Sequence, residues 1–447
     1  FMREDETTRI VRIWDQSLDG ENEVYEARLG IEYNSDQINE AIQANKRGED
    51  PYAIVKTKDD IGHGTMVASL VGARGINPEV MGAAPDCDFA IVKLKQAPSV
   101  ILDYAGVSTP GTGRYATVEV LLAIRYLSRL ASDLKRPMVI CVALGSNTGA
   151  HDGTNAVETI ITNTTSQLAL ACVTGTGNEG DTDTHTEGKF DKPGQIKNIE
   201  IRMGKGQKDL NFQIYIQQPD KVSIGVVSPS GEVVEKIPVR LSRVENVQFI
   251  YEGTRMRISY IYPDPVTGDE IISIEARGLR EGIWQFRLYG DYIVDGRYWS
   301  WLPQRSLLDP DTKFLSPSQY RTLTIPGTSR GAIVAAFYNQ NNNATVGQSG
   351  RGFTRDGRVK PDIAAGGINA IVTMPGGGTR VVSGSSVATA ITAGCCALIM
   401  QWGAVDGNDP NLYATEIRTY LIRGTNMRVG DIYPNEQWGY GAIDMKG

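Results

Sequence analysis

The chain has 447 residues, too many for one ordinary core, so it calls for two or three domains or a large α/β domain carrying an insertion. With 41% apolar residues, 22% charged residues and 49 glycines, the composition is that of a globular protein rich in tight turns. A formal charge of −7 with no basic run argues against nucleic acid or an anionic membrane as the main partner, no uninterrupted apolar run is long enough for a membrane span, and Phe1 opens a polar segment unlike a signal peptide.

From the start to about residue 189, apolar strand-like runs alternate with helical periodicity: RIVRIW, TMVASLVGA, FAIVKL, VEVLLAIRYLSRLA, PMVICVAL, VETIITNTTS and LALACVTG. That alternation predicts an α/β layer built on a mostly parallel sheet. Over 190–322 the texture changes to period-two segments such as LNFQIYIQQ, MRISYIYP and WQFRLYG, separated by Gly, Pro, Asp and Asn. An all-β insertion, a sandwich of jelly-roll type, is expected there. From 323 to 447 the first texture returns with GAIVAAFY, DIAAGG and a small-residue helix from Ser386 to Trp402. The five cysteines are an odd number, and Cys141, Cys172, Cys395 and Cys396 lie in apolar runs, which fits buried thiols better than a disulfide framework or a zinc site.

Three places carry candidate chemistry. His63 stands in DDIGHGT just before a helical run, a position suited to proton transfer, although a histidine that merely caps or packs at a helix start looks the same. Ser386 in SGSSVATA opens the small-residue helix, where free N–H groups and the dipole favour a developing anion; an ordinary N-cap serine is the alternative. Asn178 lies in VTGTGNEG at the end of an apolar strand, placed to donate from its carboxamide to an oxyanion. The same stretch fits the GxGxxG nucleotide pattern, but the polar DTDTHTEG that follows lacks the helix such a site requires.

Taken in order, GHGT, TGTGNEG, GRVKPDIAAGG, GSSVA and WGYGAIDM resemble the subtilisin-like serine peptidases. The resemblance implies a parallel sheet with helices on both faces, interrupted by the jelly-roll insertion, and an endopeptidase with His63 as general base, Ser386 as nucleophile and Asn178 as oxyanion donor. It further implies that an extended substrate pairs between Ala143-Leu144-Gly145 on one side and Gly111-Thr112-Gly113 on the other. No cofactor is required by this chemistry and no metal ligand set is assigned, though the acidic stretch GDTDTH is a candidate for structural calcium.

Ser385 and Val387 replace the threonine and methionine that usually flank the family's serine. The family's D-T-G aspartate has no counterpart in these residues. Asp15, ending the apolar strand RIVRIW, is the tempting substitute, but the opening FMREDETTRIVRIWDQS is similar to the segment just downstream of D-T-G in the Csp-type germination protease branch. That likeness places the catalytic aspartate upstream of Phe1, and it implies a spore cortex hydrolase precursor as substrate, a propeptide as partner, and an extracytoplasmic or spore-associated location. A pseudoprotease that binds or senses is the rival reading. His151 and His185 lie in polar stretches and are expected to be solvated, while Trp299 and Trp301 are expected in the core of the insertion.

Overall fold

The computed structural model describes residues 1–20, 24, 29–107 and 111–446. Leu170–Gly175 is buried along its whole length, as a parallel strand covered on both faces must be. It pairs in parallel with Met138–Val142 on one side and Ile333–Asn339 on the other, and Ile363–Gly366 continues the sheet in parallel. A smaller sheet sets Ile10–Asp15 between Ile31–Asn34, antiparallel, and Phe89–Lys93, parallel.

Alternate side chains of the central strands face opposite layers. Ala171, Val173, Ile333 and Ile363 pack against Ala393, Cys396 and Ile399 of the helix Ser385–Met400. Ile140, Cys172 and Val334 face the other way, onto Ile124 of the helix Thr117–Leu134 and Val157 and Ile161 of the helix Ala156–Thr165. This is the α/β arrangement with helices on both faces. Ile161 is 0% exposed, so truncating it to alanine removes about 2–5 kcal/mol of stability.

The helix Ser385–Met400 is almost wholly buried, and its small residues make that feasible. At Gly394 an added Cβ would lie 2.6 Å from the Cβ of Ala83 and 3.1 Å from the carbonyl oxygen of Val71, so only glycine permits this approach. The helix His63–Gly72 packs against it, which brings the N-termini of both helices, and with them His63 and Ser386, to one place. The span Ser385–Val405 is long and apolar enough by composition to cross a membrane, yet 61% of its most apolar 18-residue stretch is buried inside the protein. All five cysteines are free thiols.

From His185 to Phe314 the chain forms two antiparallel sheets packed face to face, one of five strands and one of six. Period-two burial drives this: Thr254–Ile261 buries every second residue, and the inward set joins Trp284, Phe286 and Phe249 in one core. Edge-on aromatic contacts, Phe212 on Phe286 at 5.1 Å and Phe249 on Trp284 at 5.0 Å, fix its geometry.

The sandwich meets the α/β unit through a buried charge cluster and an aromatic stack. Arg355 pairs with Asp152 at 2.7 Å and with Asp269 from the sandwich, and its guanidinium lies over Tyr215 and Trp299. Beside it the Trp301 indole is held between the rings of His151 at 4.0 Å and His185 at 4.5 Å, both nearly parallel to it. The expectation that these histidines are solvated is therefore wrong: each is 1% exposed. Their polar flanks are covered by the sandwich, and backbone carbonyls take up ring nitrogens, Leu323 and Asn147 for His151 and Ser300 for His185. Trp299 and Trp301 are buried, 2% and 5% exposed.

Burial pushes the His151 pKa down to about 4, against two carbonyl contacts that favour the imidazolium, and pushes His185 down to about 3. Both folded values lie below the ordinary 6.5, so the unfolded chain takes up protons first as the pH falls. Their contribution to stability is complete above pH 6.5 and is lost on acidification toward pH 3–4. His185→Phe keeps the stacked ring and removes the proton site. Calorimetric unfolding from pH 6.5 to 4.5 should show the wild type losing about 2 kcal/mol more than this variant. Equal losses in the two proteins would refute the assignment.

Candidate active site

His63 is the first residue of its helix, after Gly62 in a left-handed conformation with φ 86°. Asp59 builds this corner: one carboxylate oxygen accepts from Gly62 N at 2.7 Å and the other from Thr65 N at 2.9 Å and Thr65 Oγ1 at 2.7 Å. An aspartate that caps the first turn in this way satisfies donors that a helix start leaves unpaired. His63 Nε2 then lies 3.0 Å from Ser386 Oγ. Burial lowers the His63 pKa, with the nearby Asp59 charge opposing, so the ring is neutral at neutral pH. With its proton on Nδ1, Nε2 accepts from the serine hydroxyl.

Ser386 stands in the first turn of the helix Ser385–Met400, where its N–H has no intrahelical acceptor. The neighbouring Ser385, one of the departures from the family pattern, accepts from Gly177 N at 3.0 Å through its hydroxyl and so ties the serine helix to the asparagine loop. Asn178 Oδ1 accepts from Ser385 N at 2.9 Å. With its oxygen engaged, the carboxamide keeps Nδ2 as a donor, and Asn178 borders the same cavity as Ser386. Residues 176–184 hold no helix, so the GxGxxG match lacks the helix N-terminus that a pyrophosphate needs.

The cavity beside Ser386, of ≈ 500 Å³, is bordered by Ala143, Leu144 and Gly145 as well as Asn178. Gly111, Thr112 and Gly113 are exposed and lie outside that lining; Gly113 comes within reach of Ile61, two residues before His63. Asp15 is fully buried, and its carboxylate accepts from Ser17 and Thr57 and pairs with Lys93 at 3.5 Å. It holds the turn after its strand and makes no contact with His63. Among the described residues no carboxylate hydrogen-bonds His63 Nδ1.

The later motifs frame the site rather than enter it. In GRVKPDIAAGG the buried Lys360 donates to Ala332 O and Asp362, both at 2.6 Å, and Asp362 accepts from Val334 N, locking Ile363–Gly366 to its neighbour. In WGYGAIDM, Trp438 packs on Tyr338 and Ala442 bridges Ala364. In the acidic stretch GDTDTH, Asp183 pairs with Lys313, and among the described residues no three metal-binding side chains come together. Sequence reasoning missed Asp59, Thr324, Gln304 and Arg305. Only Asp59 had a local signal, a carboxylate ahead of a helix start with a threonine in the first turn.

A helix-borne serine in contact with a half-buried neutral histidine, beside an asparagine carboxamide, defines a protein equipped for acyl transfer. A model of the subtilase family matches residues 10–201 and 312–441, and the chain belongs to that family. The gap between the two stretches holds most of the sandwich.

The chain is 33% identical to serine protease AprX of Bacillus subtilis over 146 residues, 28% of this chain and 31% of that protein. It is 26% identical to an intracellular serine protease of Paenibacillus polymyxa over 181 residues, 40% of this chain and 47% of that protein. These matches span less than half of either relative. The solved structure of the CspB protease of Clostridium perfringens superposes with a TM-score of 0.86 at 29% identity, covering 99% of this chain and 87% of that one.

Proposed function

We propose that this chain is a serine endopeptidase that cleaves protein substrates through an acyl-enzyme. The observation that carries the reading is the 3.0 Å contact from His63 Nε2 to Ser386 Oγ beside an Asn178 whose oxygen is already engaged. Ser386 Oγ attacks the peptide carbonyl as its proton passes to His63 Nε2. The oxyanion takes hydrogen bonds from Asn178 Nδ2 and Ser386 N–H, and the amine leaves with the proton from His63. Water then repeats the sequence on the ester. An aspartate upstream of Phe1 orients the imidazole through Nδ1. The substrate lies extended along Ala143-Leu144-Gly145, with Gly111-Thr112-Gly113 as the opposing edge.

The mechanism needs no cofactor. The sequence likeness to the Csp-type branch, together with the CspB structure that superposes over nearly the whole chain, supports a spore-associated, extracytoplasmic enzyme acting on the precursor of a cortex-lytic hydrolase. A propeptide is its first partner. A fluorophosphonate probe tests the reading: the mature protein should be labelled stoichiometrically, and Ser386→Ala should abolish labelling. An unlabelled mature protein would leave a binding or sensing pseudoprotease as the better description.

A further inference from the structure

The segment Leu302–Arg305, which follows the sandwich strand Arg297–Trp301, is bonded to both loops that carry the candidate site. One loop runs from Ala143-Leu144-Gly145 to Asn147, and the other from Asn178 to Thr184. Leu302 ties the two together: its N–H donates to Thr184 O at 2.9 Å, and its carbonyl accepts from Asn147 Nδ2 at 3.2 Å. All three residues are buried, so these bonds are made out of water, where an unmade one costs most.

Glu179, next in sequence to Asn178, is where this segment meets the oxyanion side of the site. It is 8% exposed, and one of its carboxylate oxygens is held by four donors: Arg305 N at 3.0 Å, Thr182 Oγ1 at 3.1 Å, Thr184 Oγ1 at 3.3 Å and Asn147 Nδ2 at 3.5 Å. The Arg305 guanidinium donates to the carbonyls of Thr312 at 2.7 Å and Asp309, which fixes the direction of the Arg305 N–H. On the other side of Glu179, Gly180 N donates to Gln348 O at 3.0 Å, and a Cβ on Gly180 would fall 2.2 Å from Ser349 O. The backbone that carries Asn178 is thus clamped through its neighbour, and the aim of Asn178 Nδ2 follows from that clamp.

We infer that Glu179 and Arg305, the latter through its backbone N–H, are positioning residues that aim the Asn178 carboxamide, so that the inserted sandwich sets the geometry of the oxyanion donor. The inference rests on the peptidase reading above. It makes turnover depend on how the sandwich is seated on the α/β unit, through groups that act on Asn178 rather than on the substrate.

Two substitutions at one position test it. Arg305 opens the short helix Arg305–Leu307, and Gln304 before it is extended, with φ −53° and ψ 147°, so proline suits the backbone there. Arg305→Ala removes the guanidinium and keeps the N–H, whereas Arg305→Pro removes both. With the mature enzyme and a peptide coumarin amide, kcat of Arg305→Pro should lie about tenfold below that of Arg305→Ala, with KM unchanged within about twofold. Glu179→Ala leaves the backbone intact and should lower kcat in the same way, so it carries the test if proline unfolds the segment. In an Asn178→Ala background neither Arg305→Pro nor Glu179→Ala should lower kcat further, an outcome that a general loss of stability would not produce. Equal kcat for Arg305→Pro and Arg305→Ala with both proteins folded, full additivity with Asn178→Ala, or an effect of Glu179→Ala confined to KM overturns the inference. If the wild type is labelled by the fluorophosphonate and one of these results is found, only the positioning role fails. If the wild type is neither labelled nor active, the peptidase reading fails and this inference with it.

Discussion

His63→Ala is expected to lower kcat about a millionfold while leaving thermal stability within about 0.5 kcal/mol of the wild type. The large effect follows from the proton: at neutral pH a serine hydroxyl is a poor nucleophile, and Nε2, 3.0 Å from Ser386 Oγ, is the base within reach. The small effect follows from position. His63 is only half-buried at the first turn of its helix, and the hydrogen bonds that hold the turn belong to Asp59, Gly62 and Thr65. Alanine suits a helix start at least as well as histidine, so the scaffold keeps its shape.

Because the two side chains act as one unit, Ser386→Ala should fall to the same residual rate, and the double variant should be no slower than either single one. Steady-state rates for the three variants decide it. A double variant slower by the product of the single effects would mean that His63 and Ser386 serve separate chemistries, which the proposed mechanism forbids.

The elements of the candidate site were legible because their signals are local. A glycine before His63, small residues along the serine helix and a glycine turn around Asn178 each answer a demand made within a few residues: a left-handed φ, a close helix approach, a tight turn at a strand end. The switch from helical periodicity to period two around residue 190 likewise reflects the face each residue must bury. What escaped notice depends on contacts far apart in sequence. Polar neighbours made His151 and His185 look solvated, yet they are buried because Trp301, more than a hundred residues on, slides between them. The contact between Arg305 and Glu179 could not be read either, since the two meet only after the sandwich has folded and returned the chain to the site.

Asn178 gives the second large expected effect. Replacing it with alanine should lower kcat by about 10²–10³, or roughly 3–4 kcal/mol, with little change in KM. The reasoning turns on what each atom of the carboxamide does. Oδ1 accepts from Ser385 N at 2.9 Å in the resting enzyme, a contact that orients the group and helps fix the serine loop. Nδ2 gains its full partner only when the carbonyl oxygen becomes an anion, so its loss weakens the transition state more than the bound substrate.

Asn178→Asp separates the two jobs. The aspartate keeps an oxygen for Ser385 N and is nearly isosteric, so the loop should hold. It replaces the donor with negative charge, and the developing oxyanion then meets repulsion where it had a hydrogen bond. Its kcat should therefore fall below that of the alanine variant, while its melting temperature stays closer to the wild type. Should Asp and Ala variants instead lose stability together and activity only slightly, Asn178 would be a structural clamp on the serine helix, and the oxyanion would have to be held by backbone donors alone.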